Sequence, residues 1–115
     1  MKKIYYLSTC DTCKRIIKEL GINSSNFDMQ DIKSQKITAL QLDEMQKLSG
    51  SYESLFSRIA RKYKELEIKP SSEAEYKKLI LEEYTFLKRP VIIIGTKIFI
   101  GNTKAIVEEA KKNLK

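Results

Sequence analysis

Apolar and polar residues follow two different periods over the first third of the chain. Residues 3–7 form an apolar run that gives way to the polar residues 8–12, a pattern typical of a strand leading into the start of a helix. Four apolar residues then share one helix face, at spacings i, i+3, i+4 and i+7: Cys13, Ile16, Ile17 and Leu20. Gly21 is placed to end this helix, and a weaker strand is predicted at residues 26–30. The N-terminal part therefore predicts a β-α-β arrangement.

Two further helices are predicted in the middle of the chain from their N-terminal capping residues. Thr38 and Gln41 have the spacing of a capping box, and Gly50 is placed to end the helix that they begin. Ser72 and Glu75 repeat the same pairing before another set of apolar residues at helical spacing. The stretch between these two helices also has helix-like apolar spacing, but its pattern does not fix the backbone.

The last third of the chain predicts a β-hairpin followed by a helix. Two β-branched runs, residues 91–94 and 97–100, flank the pair Gly95 and Thr96, which is the pattern of a two-residue hairpin turn. The final helix is predicted to start at Thr103. Its apolar face consists of Ile106, Val107, Ala110 and Leu114.

The order of these elements predicts the fold class. A β-α-β unit, an inserted helical block at about residues 37–84, a hairpin and a final helix give a small mixed sheet flanked by helices. This is the order of a thioredoxin-like α/β fold. The chain has 115 residues, so we predict a single domain over residues 1–115.

Charge and composition exclude several classes of function. The net charge is +7, from 22 Lys and Arg against 15 Asp and Glu, but the cations are spread along the chain among acids, as on solvated helix faces. We therefore predict no direct binding of nucleic acid, although an acidic protein surface or a small oxyanion would suit the charge. The absence of histidine excludes Ser/His/Asp and Cys/His couples and imidazole metal ligands.

The hydrophobic runs predict a protein of the cytoplasm. The apolar start of the chain is interrupted at Ser8, too early for an export signal. No apolar run approaches the roughly 18 residues that would span a bilayer. We expect a cytoplasmic monomer without membrane attachment, in a compartment where thiols stay reduced.

Cys10 and Cys13 are the only cysteines, and they form a C-x-x-C sequence at the junction of the first strand and helix. Backbone N–H groups and the helix dipole stabilise a thiolate at a helix N-terminus, and the charge of Lys14 acts in the same direction. Side chains at i and i+3 face together, so a disulfide can close between the two. We predict that Cys10 attacks and Cys13 resolves. Zinc is a poor alternative because half of its tetrahedral site would be unfilled, whereas packing of both thiols into the core stays open.

The pair Arg89 and Pro90 is a second candidate for the site. In a thioredoxin-like arrangement the proline before the hairpin is expected to be cis and to lie beside the reactive thiol. Arg89 would then favour the thiolate or bind an oxyanion. The alternative is a trans proline that starts an edge strand, with Arg89 on the surface.

At these residues the chain resembles the glutaredoxin-coupled arsenate reductases and the Spx-type redox regulators. The resemblance runs nearly end to end and is carried by residues 5–15, 48–66 and 87–93. It implies a thioredoxin-like fold with a helical insertion, a nucleophilic Cys10 and substrate contacts at four residues: Thr12, Lys14, Arg58 and Pro90. It implies no bound cofactor, and the reductant would be glutathione with glutaredoxin, or a thioredoxin.

The two branches of this resemblance imply different functions. The arsenate reductases hold their oxyanion with three arginines; Arg89 matches the first, Arg58 lies near the second and Gly101 replaces the third. The Spx-type regulators resemble the chain in both cysteines and in Gly50, at the place used for contact with the α subunit of RNA polymerase, and in Arg58. We therefore expect a thiol–disulfide oxidoreductase in which arsenate reduction is doubtful, with a polymerase-binding redox sensor as the alternative.

Overall fold

The computed structural model describes residues 1–114, which fall into two compact units. The sheet unit contains Met1–Lys36 and the chain from Arg89 onward, and the helical unit contains Ile37–Lys88. The strands are β1 (Lys2–Tyr6), β2 (Asp28–Asp31), β3 (Val91–Ile94) and β4 (Lys97–Ile100). The helices are α1 (Asp11–Leu20), α2 (Ala39–Ser49), α3 (Arg61–Glu65), α4 (Glu73–Glu82) and α5 (Lys104–Lys112).

The sheet unit contains a four-stranded mixed sheet in the order β2-β1-β3-β4. β1 runs parallel to β2 and antiparallel to β3, and β3 and β4 form an antiparallel hairpin. Ile4 at the centre of β1 lies opposite Met29 on one side and Ile92 on the other. The hairpin has the predicted register, with Gly95 at φ 63° in the turn, a conformation that glycine adopts without strain.

Helices α1 and α5 supply the apolar residues that cover one face of this sheet. The helix face predicted from Cys13 to Leu20 forms as α1, and Gly21 ends it in the left-handed conformation at φ 66°. The core on this face consists of buried residues from the strands, from both helices and from the α1–β2 connection: Ile4, Ile16, Ile22, Phe27, Ile92, Phe99, Val107 and Ala110. Burial of this apolar face fixes α1 against the sheet.

The helical unit contains α2, α3 and α4 and a cluster of aromatic rings. α2 begins with the predicted capping box, in which the Thr38 hydroxyl and the Gln41 side chain each accept a backbone N–H at 3.1 Å. Phe56 is fully buried, and its ring lies 5.0–5.8 Å from three other rings: Tyr63, Tyr76 and Phe86. These contacts give the helical unit a core of its own.

The stretch whose backbone the sequence left open forms only a 3₁₀ turn at Glu53–Leu55 and the short α3. Its backbone instead pairs with a distant segment: Ser57 N–H donates to Phe86 O at 2.7 Å, and Lys88 N–H donates to Leu55 O at 2.9 Å. Because these groups bond across the unit, they are not available for a helix ladder. The segment with helix-like apolar spacing therefore forms an isolated β-bridge and not a continuous helix.

Two boundaries differ from the sequence prediction for local reasons. β2 starts two residues later than predicted, because Asn23 and Asn26 form a turn in which Phe27 N–H donates to Asn23 O at 2.9 Å. At α4 the Ser72 hydroxyl accepts Glu75 N–H as expected, but the Glu75 carboxylate accepts from the hydroxyls of Ser71 and Ser72, so only half of a capping box forms. Within residues 1–114, no helix combines the length and apolar character needed to cross a membrane.

Candidate redox-active site

A tight turn at the end of β1 places Cys10 at the start of α1. Cys10 N–H donates to Leu7 O at 3.0 Å, which closes the turn over residues 7–10. Cys10 then occupies the N-cap position with extended backbone, at φ −97° and ψ 114°, and its carbonyl accepts Lys14 N–H at 3.1 Å. The half-buried Cys10 side chain therefore lies at the positive end of the helix dipole, where the sequence places it.

The environment of Cys10 lowers the pKa of its thiol. Burial alone would raise this pKa, but the backbone N–H and thiol of Cys13, the backbone N–H of Thr12 and the charge of Arg89 together outweigh it. The sulfur makes no capping hydrogen bond of standard geometry, so the two amides act on it as nearby dipoles. Each of these groups favours the thiolate, which is the nucleophilic form of cysteine.

Cys13 has the opposite character. It is fully buried on the inner face of α1, and burial raises the pKa of its thiol to about 11. The hydrogen bond to Cys10 and the negative charge of Cys10 contribute to this raised pKa, while the backbone of Leu7 and the charge of Arg89 oppose it. The two thiols are free and interact directly, so the site contains one sulfur suited to be a thiolate and one suited to be its hydrogen-bond donor. Over residues 1–114, no group of three or more Cys, Asp or Glu side chains is arranged to hold a metal.

Arg89 and Pro90 come from the other end of the sequence and belong to the same unit. The peptide bond between them is cis, as predicted from the thioredoxin-like arrangement. Pro90 is buried, and its carbonyl accepts Gly101 N–H at 2.9 Å at the end of β4. Arg89 is half-buried, and its charge lowers the pKa of both Cys10 and Cys13. The structure thus brings Arg89 to the cysteine pair, although the chain separates them widely.

The other candidate residues have different surroundings. Thr12 contributes its backbone N–H to Cys10, and Lys14 extends an exposed side chain from the first turn of α1. Gly50 and Arg58 belong to the helical unit. Gly50 is the exposed left-handed end of α2 at φ 98°, and Arg58 donates to the Glu53 carboxylate at 2.8 Å and to the Tyr76 hydroxyl at 2.6 Å.

One residue near the site is not predicted from the sequence. The Asp31 carboxylate at the end of β2 accepts Ser8 N–H at 3.3 Å, within the turn that carries Cys10. The only sequence signal for it is an acid at the end of a strand that runs parallel to β1.

Comparison with known proteins identifies the family. A model of the ArsC family matches residues 5–110. The chain belongs to the ArsC family. This membership supports a function as a thiol redox protein. It also confirms the resemblance noted in the sequence, which implied an ArsC-family chain with an arsenate reductase-like fold. No curated protein sequence matches the chain.

Solved structures of similar proteins confirm the thioredoxin-like fold. An arsenate reductase (ArsC) related protein from Brucella melitensis is 26% identical over 94% of this chain and 92% of its own, with a TM-score of 0.68. An ArsC-family related protein from Bacteroides fragilis is 23% identical over 97% and 96%, with a TM-score of 0.77. An arsenate reductase from Vibrio cholerae is 18% identical over 94% and 95%, with a TM-score of 0.73.

Proposed function

We propose that this ArsC-family protein is a cytoplasmic thiol–disulfide oxidoreductase in which Cys10 is the nucleophile and Cys13 is the resolving thiol. The observation that carries the proposal is the opposite perturbation of two adjacent thiols: the pKa of Cys10 is lowered and that of Cys13 is raised to about 11. Pairs of titratable groups whose environments separate their pKa values are typical of sites with two chemical roles.

In the first step the Cys10 thiolate attacks one sulfur of a substrate disulfide. A bond forms between Cys10 Sγ and that sulfur, the substrate S–S bond breaks, and the other substrate sulfur leaves as a thiolate. Arg89, whose positive charge acts on Cys10, favours the thiolate before the attack. We assign contacts with the substrate to Thr12 and Lys14 in the first turn of α1, and to Pro90.

In the second step Cys13 attacks the sulfur of Cys10. The Cys10–Cys13 disulfide forms, the mixed disulfide bond breaks, and the remaining substrate sulfur leaves as a thiol after taking up the proton that Cys13 loses. The substrate gains two electrons and the cysteine pair loses them. Because the charge of Cys10 is one cause of the high pKa of Cys13, formation of the mixed disulfide removes that charge and lowers the pKa when the Cys13 thiolate is needed.

A second thiol compound must return the pair to the reduced state. We propose glutathione, or a dithiol protein of the glutaredoxin or thioredoxin type, as this reductant. The thiols of either reductant reduce the Cys10–Cys13 disulfide by the same exchange reaction and are themselves oxidised to a disulfide. The cycle therefore needs no bound cofactor.

Single substitutions of the two cysteines test these roles. In turnover of a small mixed disulfide with excess glutathione, Cys10→Ser should abolish activity. Cys13→Ser, treated with the same mixed disulfide without glutathione, should instead accumulate a covalent adduct on Cys10, visible as a mass increase that a reductant removes. Equal activity of the two variants, or an adduct that forms in Cys10→Ser, would contradict the assignment.

We propose disulfides rather than arsenate as the substrate. Of the three arginines that the resemblance associates with an oxyanion, Arg89 acts on Cys10, Gly101 stands in place of the third, and Arg58 is held by Glu53 at 2.8 Å. Each charge-assisted hydrogen bond lost to an anion costs about 1.5–3 kcal/mol. The wild-type protein should therefore reduce arsenate no faster than Cys10→Ser does, whereas it should reduce a disulfide faster than that variant. Arsenate turnover well above that background would refute this choice.

The alternative function is a redox sensor that binds the α subunit of RNA polymerase. The observation that favours it is the exposure of Gly50 at the end of α2, which leaves this residue open to a partner. Binding of the purified α subunit, lost in Gly50→Arg and altered by oxidation of the cysteine pair, would support this function. No binding in either redox state would remove it.

A further inference from the structure

Asp31 links the end of β2 to the turn that carries Cys10. Tyr6 lies beside Asp31 in the parallel register, and Ile32 N–H donates to Tyr6 O at 2.9 Å. Two residues beyond Tyr6, Ser8 N–H donates to Asp31 Oδ1 at 3.3 Å. The end of β2 thus holds the chain at two successive points, the last strand residue of β1 and the second residue of the turn.

The carboxylate of Asp31 is surrounded by neutral donors. Partial burial would raise its pKa, but the hydroxyl and N–H of Ser8, the N–H of Lys33 and the hydroxyl of Ser34 together lower it. The ion pairs found within residues 1–114 do not include Asp31. The Asp31 carboxylate therefore accepts hydrogen bonds from backbone N–H and hydroxyl groups. Two of these donors belong to Ser8, which lies in the turn before Cys10.

The turn transmits this contact to the nucleophile. Ser8 and Thr9 are the two central residues of the turn that Cys10 N–H closes on Leu7 O at 3.0 Å. Ser8 N–H takes no part in that hydrogen bond and donates instead to the Asp31 carboxylate, so the turn is tied both to β1 and to the end of β2. The same turn decides where Cys10 Sγ lies relative to the amides of Thr12 and Cys13 that favour its thiolate.

We infer that Asp31 is a positioning residue for Cys10: its carboxylate holds Ser8, and Ser8 fixes the turn that presents the sulfur to the N-terminus of α1. This inference rests on the proposed role of Cys10 as the nucleophile. Asp31 does not touch the substrate in this scheme and acts only through Ser8.

The sign of one measurement separates positioning from a simple charge effect. A negative charge near a thiol disfavours the thiolate, so its removal would lower the pKa of Cys10. Loss of positioning has the opposite effect, because the sulfur moves away from the amides and its pKa rises toward the ordinary value of 9.0. A role in stability alone would change the free energy of unfolding and leave the pKa of Cys10 where it was.

The experiment compares Asp31→Ala and Asp31→Asn in a Cys13→Ser background, where the titrating thiol is Cys10. The pKa of Cys10 is followed by the ultraviolet absorbance of the thiolate and by the alkylation rate with iodoacetamide across pH. Asp31→Ala should raise the pKa and slow alkylation several-fold at neutral pH. Asp31→Asn retains an acceptor oxygen for Ser8 N–H and should stay close to the parent.

Asp28→Ala is the matched control. Asp28 begins the same strand, and its carboxylate pairs with Lys3 Nζ at 2.9 Å instead of holding the turn. It should change stability without changing the pKa of Cys10. If Asp31→Ala fails to fold by circular dichroism, Ser8→Pro removes the hydroxyl and N–H donors while leaving Asp31 in place, and it should raise the pKa in the same way.

Two results overturn the inference while leaving the proposed function intact. One is a lowered pKa of Cys10 in both Asp31 variants, which indicates a charge effect. The other is an unchanged pKa in a folded Asp31→Ala or Ser8→Pro protein. If the parent itself alkylates like an ordinary free thiol, the proposed role of Cys10 fails instead, and the inference fails with it.

Discussion

The buried thiol of Cys13 should make the reduced protein lose stability at alkaline pH. Its pKa is raised from an ordinary value of 9.0 to about 11, chiefly by burial. A folded-state pKa above the unfolded one stabilises the fold fully below the unfolded value, and this contribution is lost as pH rises through the folded value. For Cys13 the loss falls between about pH 9 and pH 11.

The size of this loss follows from the shift. One pKa unit corresponds to 1.36 kcal/mol, and a shift of about two units therefore corresponds to roughly 2–3 kcal/mol of unfolding free energy. Cys10 contributes with the opposite sign, because its pKa is lowered in the fold. Its stabilisation is complete above the unfolded pKa of 9.0 and is lost as pH falls through its folded value. Of the two cysteines, only Cys13 therefore contributes to a loss of stability at alkaline pH.

Urea unfolding measures the effect. The reduced wild type and Cys13→Ala are compared between about pH 7.5 and pH 11, in steps of roughly one pH unit. Tyr and Lys residues also titrate in this range, and their contribution cancels in the difference between the two proteins. The advantage of wild type over Cys13→Ala should shrink by about 2 kcal/mol across the alkaline half of the range. A difference that does not change with pH would refute the assignment of Cys13 as a buried neutral thiol.

Three further predictions concern the site and each unit. Arg89→Gln should raise the pKa of Cys10 and slow its alkylation at neutral pH, while Lys88→Gln, at the exposed neighbouring residue, should not; equal rates in both would contradict the role of Arg89. Thr38→Ala removes half of the capping box of α2 and should lower the free energy of unfolding by about 1 kcal/mol in urea titrations. Phe56→Ala removes a fully buried ring in contact with three others and should cost about 3–5 kcal/mol; a loss below 1 kcal/mol would mean that the aromatic cluster does not stabilise the helical unit.

Elements with strong local signals could be predicted closely from the sequence. The hairpin at Val91–Ile100 and the helix from Asp11 to Leu20 each combine a periodic apolar pattern with a glycine at the required turn or cap, so residues close in sequence determine them. The position of Cys10 at the N-cap of α1 follows from the same local pattern. The alternative of a surface Arg89 and a trans proline is wrong, because Pro90 is buried after a cis bond.

Features that depend on distant contacts could not be predicted. The backbone at Leu55–Ser57 is decided by pairing with residues 86–88, and a helix-like apolar pattern carries no information about that partner. Asp31 reaches Ser8 across 23 residues of sequence, through the parallel pairing of β1 with β2. The engagement of Arg58 by Glu53 and Tyr76 is likewise visible only once the helical unit is folded.

The two halves of the redox site lie at opposite ends of the sequence and meet through the antiparallel pairing of β1 with β3. During synthesis Cys10 leaves the ribosome well before Arg89 has been added to the chain. Helix α1, whose amides favour the thiolate, packs on C-terminal residues such as Ile92 and Phe99, so the sulfur remains an ordinary, weakly ionised thiol until the C-terminal strands are in place. Reactivity is acquired as a late event of folding, so an incomplete or truncated chain is protected from forming adventitious disulfides with its neighbours.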